Sequence, residues 1–333
     1  MTKTNRLVLS VLAVLSLAAF AAAQSYTVTD LGPGEAYAIN SLGDVVVQPF
    51  PSGNPYVWAP GGSILTLLPL AGDSSGIPFG INSQGLAVGE SDNHSVSSAV
   101  LWTNGVPLDL GTLGGTSGAA RGINASGEVA GYSGIPTRSA EAFVWSKATG
   151  MQGLGFLPGG DYSAAEAINR FGQVVGASNG NNVFYAFIWS KTTGMQNLGK
   201  LPGYDGSAAY AINNLGQVAG LSDCFNCSLE THATLWSKTK GSMLDLGVLP
   251  GALSSGAFGI NNVGQVVGAV FYSLNDNRAF VWSPSTGMLD LNTLIPANSG
   301  WFLGYALAIN DKGQIVGNGT LNGQGEAFLL TPQ

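Results

Sequence analysis

Basic residues are scarce in this sequence. Lysine and arginine together number 12 in a chain of 333 residues, and all charged residues make up only 9%. A protein that holds nucleic acid through its phosphates needs clustered Lys and Arg side chains. This chain contains no such cluster, so nucleic acid is not an expected partner.

The sequence also lacks the composition of a helical protein. Charged residues are too few for ordinary helical surfaces, and the 49 glycines would each destabilise a helix interior. The hydrophobic content of 45% is nevertheless enough to bury a large core. These features favour an all-β protein whose strands are joined by tight turns.

Long apolar runs are absent except at the N-terminus. Lys3 and Arg6 precede an apolar stretch over residues 7–20, and three alanines follow at 21–23. This is the pattern of a secretory signal peptide over residues 1–23. A membrane anchor is the alternative, but the apolar stretch is shorter than the roughly 20 residues that span a bilayer.

Removal of residues 1–23 leaves ten basic and nineteen acidic residues, so the net charge of residues 24–333 becomes −9. We expect this part to be secreted, or to lie at the cell surface or in the periplasm of a bacterium. We expect no membrane insertion after the signal peptide is removed.

The rest of the chain is built from a repeat with the core Ile-Asn-x-x-Gly. Its copies are spaced by 42 to 49 residues, and all but the last are followed by a Val-rich segment, a segment ending in Trp and a segment such as Met-x-x-Leu-Gly. The Asn of the repeat stands at seven positions: Asn40, Asn82, Asn124, Asn169, Asn213, Asn261 and Asn310. Four short segments per repeat predict four strands per unit.

The Asn and Gly of the repeat predict a hairpin turn. Asn bonds its own backbone two residues further on, and Gly accepts a positive φ. The positions two and four residues before the Asn are almost all Ala or Gly, as at Ala165 and Ala167. Because radially arranged sheets converge at their axis, this strand is expected to be innermost.

The two ends of the chain complement each other. A segment of the fourth type stands alone at residues 26–32, and the last repeat stops after its third segment near Leu330. If the N-terminal strand completes the C-terminal blade, seven four-stranded sheets close into a single β-propeller over residues 24–333. An open solenoid is the alternative, but it would need polar capping repeats, and none is visible.

The units Ala142-Phe143-Val144-Trp145, Leu154-Gly155-Phe156-Leu157-Pro158-Gly159 and Ala167-Ile168-Asn169-Arg170-Phe171-Gly172 resemble the HAF family of bacterial extracellular repeats. The His of the His-Ala-Phe tripeptide is replaced in most copies, and His232-Ala233-Thr234 is the nearest match. The resemblance implies a secreted bacterial protein and supplies no catalytic residues.

Loops of changing length and composition fall on one side of such a propeller, which we call the variable-loop face. Antiparallel connectivity places there the turns after the second and fourth strands of each blade. Aromatic residues in or beside these loops could stack on sugar rings, or they could simply anchor long loops to the blade edges. The candidates for ligand binding are Tyr132, Tyr185, Phe225, Tyr272 and Trp301.

Two charged residues interrupt the innermost strand. Three positions before the Asn most blades carry Tyr, Phe or Leu, whereas blades three and four carry Arg121 and Glu166. Opposite charges at matching positions of adjacent blades predict an inter-blade ion pair near the axis. A functional role for the pair would require an open pocket beside it.

Cysteine and histidine are rare, with two residues of each type. Cys224 and Cys227 form a Cys-x-x-Cys segment, for which a local disulfide is favoured in an exported chain; metal binding with His232 and thiol redox chemistry are the alternatives. His94 and His232 fall in distant blades and cannot share a small site. No cofactor and no catalytic residue is indicated.

The expected function is a non-catalytic recognition or scaffold module. It would bind an extracellular polysaccharide or a surface protein through the variable-loop face. A secreted glycan-active hydrolase or lyase is the rival interpretation, since paired carboxylates in a loop cleft could serve catalysis. A structural surface or matrix protein is the third.

Overall fold

The computed structural model describes residues 25–93, 95–136, 138–181, 183–223, 231–237, 242–273 and 276–333. Seven antiparallel four-stranded sheets lie in these ranges, and they form a seven-bladed β-propeller. The predicted fold is therefore confirmed. The proposed signal peptide and the Cys-x-x-Cys segment both lie outside the described residues.

The blades follow one another along the chain, with the strands of each blade paired in sequence order. Blades one and two contain β2 (Gly34–Ile39), β3 (Val45–Pro49), β4 (Tyr56–Ala59), β5 (Ser63–Thr66), β6 (Ser75–Ile81), β7 (Ala87–Asp92), β8 (Ser97–Thr103) and β9 (Val106–Asp109). Blades three and four contain β10 (Gly118–Ile123), β11 (Val129–Ile135), β12 (Arg138–Ser146), β13 (Gly150–Gly153), β14 (Ser163–Ile168), β15 (Val174–Gly180), β16 (Val183–Ser190) and β17 (Gly194–Asn197).

The remaining blades have the same organisation. Blades five and six contain β18 (Gly206–Ile212), β19 (Gln217–Asp223), β20 (Thr231–Ser237), β21 (Ser242–Asp245), β22 (Ser254–Ile260), β23 (Val266–Ser273), β24 (Asp276–Ser283) and β25 (Gly287–Asp290). Blade seven contains β26 (Trp301–Ile309), β27 (Ile315–Leu321), β28 (Gln324–Pro332) and β1 (Tyr26–Gly32).

Helical structure in the described ranges is limited to one 3₁₀ turn at Leu291–Thr293. It begins at Asp290, whose side chain accepts a hydrogen bond from the Asn292 backbone N–H at 2.8 Å. Over the same ranges, the chain forms no helix with the length and apolarity needed to cross a membrane.

The two ends of the chain meet in blade seven. β1 pairs antiparallel with β28, with Tyr26 opposite Pro332 and Asp30 opposite Phe328. The N-terminal strand is therefore the outermost strand of the last sheet, and it covers an edge that β28 would otherwise expose.

The Asn turn has the geometry that the sequence predicts. In blade five the Oδ1 atom of Asn213 accepts hydrogen bonds from the backbone N–H groups of Leu215 and Gln217, each at 3.0 Å. Gly216 has a φ of 75°, in the left-handed region that glycine adopts without strain. The corresponding glycine has a positive φ in every blade.

The same Asn side chains also connect the blades, which the sequence did not predict. Each Nδ2 group donates a hydrogen bond of 3.0 to 3.1 Å to the backbone carbonyl of the Asn in the next blade. The seven bonds run from 40 to 82, 82 to 124, 124 to 169, 169 to 213, 213 to 261, 261 to 310 and 310 to 40. They form a closed ring around the axis.

Small residues in the innermost strands allow the blades to converge. A β-carbon added to Gly122 would lie 3.1 Å from Ala167 Cα and 3.2 Å from the Glu166 carbonyl oxygen of the next blade. Gly259 faces the backbone of the first strand of blade seven at similar distances. A larger side chain at these positions would push neighbouring blades apart.

The hydrophobic core is divided among the gaps between blades. The core between blades two and three combines Val88 and Leu101 with Val129, Phe143 and Trp145. The Phe of the third strand is fully buried in such a gap in four blades: Phe143, Phe187, Phe280 and Phe328. The stability of each blade therefore depends on its neighbours.

The residue that stands at the His position of the HAF tripeptide contacts the fourth strand of the same blade, or the segment just after it. Here Arg278 Nη1 donates to Asp290 at 3.3 Å, His232 Nδ1 lies 2.9 Å from Asp245, and Glu141 accepts from the Gly155 N–H at 2.9 Å. These three contacts stabilise the outer strand pair. The position therefore has a structural role in blades three, five and six.

Blade seven has an acidic residue, Glu326, at this position. Its Oε2 atom is buried without a hydrogen-bond partner, and burial followed by the nearby Asp30 raises the Glu326 pKa. The pairing of β1 with β28 therefore contains two carboxyl groups that repel each other when both are ionised.

We predict that Asn213→Asp destabilises the propeller by roughly 1–3 kcal/mol at pH 7, the usual cost of an unsatisfied buried group. The carboxylate keeps the turn acceptor but cannot donate to the Asn261 carbonyl. Burial beside acceptor oxygens should raise the pKa of the new carboxyl, so stability should recover as the pH falls through that value. Chemical unfolding at pH 7 and at acidic pH measures both effects.

Asn214→Asp is the matched control for this variant. Asn214 Oδ1 accepts from the Arg170 N–H at 3.1 Å, and in blade seven Asp311 already makes the equivalent contact with the Asn262 N–H at 2.8 Å. This variant should be nearly neutral. Equal losses of stability in the two variants would contradict a special role for Asn213 in the ring of inter-blade hydrogen bonds.

We further predict that Glu326→Gln raises the melting temperature at pH 7, because it removes the repulsion with Asp30. Since the folded-state pKa of Glu326 is raised, the wild-type protein regains stability as the pH falls through that pKa. The advantage of the variant should therefore disappear in acid. Glu141→Gln, at the equivalent position of blade three, should show no such gain; a gain at both positions would refute the explanation.

Candidate functional site

The central channel is the place where side chains from all seven blades meet. The first strands surround a cavity of about 280 Å³. The residue three positions before the Asn lines this cavity in every blade: Tyr37, Phe79, Arg121, Glu166, Tyr210, Phe258 and Leu307. The predicted position of these strands next to the axis is confirmed.

Each of these residues is the extra residue of a β-bulge. In blade four, Ala165 pairs with Gly176 and Ala167 with Val175, which leaves Glu166 without a partner in the ladder. The register shifts at the same point in all seven blades. A bulge redirects a side chain and frees it from the regular inward and outward alternation.

The bulge also explains the glycine of the second strand. A β-carbon added to Gly176 would lie 2.0 Å from the Ala164 carbonyl oxygen and 2.8 Å from Ala165 Cα. In blade four only glycine allows the two strands to approach this closely, whereas blade one has Val47 at the equivalent position. The Val-Val-Gly segment thus supports the residue that faces the channel.

Arg121 lies among aromatic rings in the channel. Its guanidinium carbon is 3.9 Å from the centroid of the Phe79 ring and 5.6 Å from that of Tyr132. Its Nε atom is buried without a hydrogen-bond partner. Cation–π contacts therefore hold the side chain while one of its donors stays unused.

Carboxyl groups are gathered near Arg121. Glu35 accepts a hydrogen bond of 2.6 Å from the Tyr37 hydroxyl. Burial raises the pKa of Glu90 and of Glu166, and the positive charge of Arg121 opposes the rise in both. Glu90 and Glu166, from blades two and four, thus lie near the Arg121 guanidinium group, and Glu35 of blade one bonds Tyr37, which the Arg121 charge also reaches.

Aromatic rings continue the same lining. Tyr37 and Phe79 make an edge-to-face contact at 5.5 Å, and Tyr210 and Phe258 make one at 5.7 Å. Burial raises the pKa of Tyr210 to about 12, with smaller contributions from nearby carboxylates. All of these rings come from the first strands.

A further aromatic pair stands beside Tyr132. The Tyr162 ring is 5.4 Å from that of Phe184, and the Tyr162 pKa is raised by burial and then by Tyr132 and Glu166. We use the name channel mouth for Glu35, Tyr37, Phe79, Glu90, Arg121, Tyr132, Tyr162 and Glu166. It lies towards the variable-loop face, since each first strand begins at that face and ends at its Asn turn.

The opposite end of the channel is different. A cavity of about 260 Å³ there is lined by the turn residues Arg170, Asn214, Asn262 and Asp311. Several of these already bond one another, as in the 2.8 Å contact from the Asn262 Nδ2 group to Asp311 Oδ2. Polar side chains at this end of the channel therefore hydrogen-bond the Asn turns of adjacent blades to one another.

The structure places Arg121 and Glu166 in the lining of the same cavity. The salt bridges of 4.0 Å or less in the described ranges join His232 to Asp245 and Arg278 to Asp276 and Asp290. Arg121 and Glu166 influence each other through their charges, and their direct pairing stays a prediction.

The aromatic residues predicted as ligand contacts are dispersed. Tyr132 belongs to the channel mouth. Tyr185, Tyr272 and Trp301 are half-buried and pack against the cores of three different blade gaps. Phe225, Cys224 and Cys227 lie outside the described residues.

The channel mouth contains residues that the sequence analysis did not select. Glu35 stands five residues before its Asn, Glu90 stands eight residues after its Asn, and Tyr162 precedes β14. A comparison of each repeat position across the blades could have found Glu35 and Glu90, because charged residues are rare in these strands. Tyr162 lies in a connecting segment, which gives no such signal.

Within the described part of the chain, no group of three or more His, Cys, Asp or Glu residues could hold a metal ion. The His232–Asp245 pair stands alone in blade five, with the Tyr204 ring 5.6 Å from the imidazole. His94 is not among the described residues.

The comparisons with known proteins give the fold and no more. No family model and no curated protein matches the chain. Among solved structures, virginiamycin B lyase from Staphylococcus aureus is 9% identical with a TM-score of 0.58, over 92% of this chain and 99% of that one.

Two further solved structures are similar at the same level. Oligogalacturonate lyase from Vibrio parahaemolyticus is 10% identical with a TM-score of 0.58, over 91% of this chain and 93% of that one. TolB from Acinetobacter baumannii is 12% identical with a TM-score of 0.52, over 77% of this chain and 62% of that one. These likenesses establish a shared propeller fold alone.

We predict that Arg121→Met raises the Glu166 pKa further above its ordinary value, because the favourable charge is lost while burial remains. Titration of the side-chain carboxyl by ¹³C NMR measures the change. Phe79→Leu is the control, since it removes the ring under Arg121 and keeps the charge. An unchanged Glu166 titration in Arg121→Met would show that the two groups do not interact.

Proposed function

We propose that this protein is a secreted, non-catalytic recognition module that binds a neutral polysaccharide chain at the channel mouth. The observation that carries the proposal is the convergence of aromatic rings and carboxyl groups at that place. Tyr37 bonds Glu35 and contacts the Phe79 ring, and Tyr162 lies near both Tyr132 and Glu166.

Sugar rings suit such a surface. They present apolar C–H faces that stack on aromatic rings, and hydroxyl groups at the rim that donate to carboxylates. The Arg121 side chain is only partly buried, and its guanidinium N–H groups can donate to a ring or hydroxyl oxygen. The site thus offers stacking surfaces, acceptors and one donor without rearrangement of the blades.

The charge at the channel mouth favours a neutral ligand. Glu90 and Glu166 lie near Arg121, Glu35 bonds Tyr37 of the same channel mouth, and residues 24–333 carry a net charge of −9. A polyanion such as a uronic acid polymer would be repelled. The oligogalacturonate lyase and virginiamycin B lyase noted above share only the fold, so their substrates are not transferred to this chain.

The location outside the cytoplasm belongs to the same proposal. It is supported by the signal-peptide pattern of residues 1–23 and by the resemblance of the repeats to HAF extracellular repeats. A polysaccharide ligand is accessible to a protein at the bacterial surface or in the surrounding medium.

A second candidate function is hydrolysis or lytic cleavage of a glycan. It is favoured by Glu90 and Glu166, whose pKa values are both raised by burial near Arg121. Carboxyl groups with raised pKa values can serve as general acids. We rank this function second because catalysis would require two carboxyl groups placed on opposite sides of the glycosidic bond that is cleaved.

We predict that the protein binds cellohexaose or chitohexaose and does not bind oligogalacturonate, as measured by isothermal titration calorimetry. Phe79→Leu should weaken binding by about tenfold, which corresponds to roughly 1.4 kcal/mol of lost stacking. Phe302→Leu is the matched control, because Phe302 is an exposed ring of blade seven outside the channel mouth. Absence of binding to both neutral hexasaccharides would contradict the proposal.

The same oligosaccharides separate the two functions. If the protein is a binding module, Glu166→Gln alters affinity and no product appears on prolonged incubation. If reducing ends or unsaturated products form and Glu166→Gln abolishes them, the enzyme interpretation replaces ours.

A further inference from the structure

The propeller has a second face, opposite the variable-loop face. It is formed by the seven Asn turns and by the links between third and fourth strands, such as residues 147–149 between β12 and β13. Antiparallel pairing within each blade brings these connections to the same side. We call this surface the Asn-turn face. The proposed glycan site lies at the other end of the channel.

Large apolar side chains stand exposed at the tips of four Asn turns. They occupy the second position after the Asn, and between 58% and 67% of each residue is exposed: Leu42, Phe171, Leu215 and Val263. The last three belong to successive blades, and Leu42 follows across Lys312, which has the same position in blade seven. Because each tip has the same place in the same turn around a closed ring, the four lie at one level. They form a flat apolar arc, a feature that often marks an interaction site.

Exposed basic side chains accompany the apolar arc. Lys147 and Lys191 stand in the strand links of blades three and four, and Arg170 and Lys312 stand in Asn turns. The salt bridges of 4.0 Å or less in the described ranges include none of these four residues. The Arg170 guanidinium carbon lies 4.5 Å from the centroid of the Phe171 ring, so a positive charge directly adjoins the arc.

The acidic residues of the Asn turns are already engaged. Asp44 and Glu128 each accept a hydrogen bond from the Nδ2 group of their own turn Asn, at 2.8 and 2.7 Å, and Asp311 accepts two from Asn262, each at 2.8 Å. Most other carboxyl groups of the described ranges lie towards the variable-loop face. A strand of seven residues separates the two faces by roughly 20 Å, more than two Debye lengths of about 8 Å. The charge offered to an approaching surface is therefore positive.

The chain enters the propeller on the Asn-turn face. Tyr26 at the start of β1 lies opposite Pro332 at the end of β28, and the Gln333 N–H donates to the Ser25 carbonyl at 2.9 Å. Residues 1–24, which contain the apolar stretch 7–20, therefore join the propeller on this face. An apolar stretch held in a membrane during export would keep the Asn-turn face next to the bilayer.

We propose that the Asn-turn face docks on the surface of a membrane that contains anionic phospholipid. The flat apolar arc reaches the boundary between headgroups and acyl chains, and the four exposed basic side chains contact lipid phosphates. A flat arc fits a bilayer without any matching shape in the partner. The blades stay outside the bilayer, and the channel mouth faces the surrounding medium.

Co-sedimentation with lipid vesicles tests the proposal. Residues 24–333 are used, because they contain the complete ring of blades and lack the apolar stretch 7–20 that would itself bind lipid. Vesicles of equal parts phosphatidylglycerol and phosphatidylcholine should bind the protein at least about tenfold more tightly than pure phosphatidylcholine vesicles at low salt. Salt at about 1 M should remove most of this preference. Equal binding to the two kinds of vesicle, or no binding to either, would overturn the proposal.

Leu215→Ser and Leu253→Ser form a matched pair, since the two leucines are 62% and 63% exposed and Leu253 stands just before β22 on the variable-loop face. Leu215→Ser should weaken vesicle binding about tenfold, and Leu253→Ser should leave it unchanged. Equal effects of the two substitutions would contradict docking through the arc. Without lipid, the protein should sediment as a monomer. A dimer that Leu215→Ser dissociates would identify the arc as a contact between copies and overturn the proposal.

Discussion

The hydrogen bond from each repeat Asn to the Asn carbonyl of the next blade is the interaction on which the propeller depends. It links the Asn turn of one blade to that of its neighbour, and the seventh bond returns from Asn310 to Asn40. Because these bonds are buried, breaking one leaves polar groups without partners. The ring also sets the distance of the first strands from the axis, and thereby the width of the channel.

The β-bulge next to this ring allows the residue that faces the channel to vary without a change in the packing of the blades. The Asn turn and the small residues on either side of the bulged residue are required because the blades converge at the axis. The bulged residue faces the channel and differs between blades, from Leu307 to Arg121. The protein therefore collects different functional groups at one place without altering the repeat. Arg121, Glu166 and the rings around them are consequences of this arrangement, and they are the reason that the centre of the variable-loop face is the candidate site.

Small differences between repeat copies have similar effects further out. Ser207 of blade five bonds the Gly199 carbonyl of blade four, whereas Gly76 of blade two leaves the Leu68 carbonyl to Trp102. At the His position of the tripeptide, Arg278 and His232 pair with acidic residues, whereas Glu326 faces Asp30. A repeat fold thus acquires individual sites and individual weaknesses through single substitutions at equivalent positions.

The sequence alone determined the number of blades, the four strands in each, the Asn turns and the innermost strand, because these depend on local backbone preferences, on the repeat period and on the size of residues such as Gly122. It also marked Arg121 and Glu166 as exceptions. Only the tertiary structure decided that Glu35, Glu90 and Tyr162 join them and that Tyr185, Tyr272 and Trp301 pack on separate blades. The physical reason is that spacing along the chain gives the strand and face of a side chain, whereas contacts across a closed ring depend on how all seven blades meet.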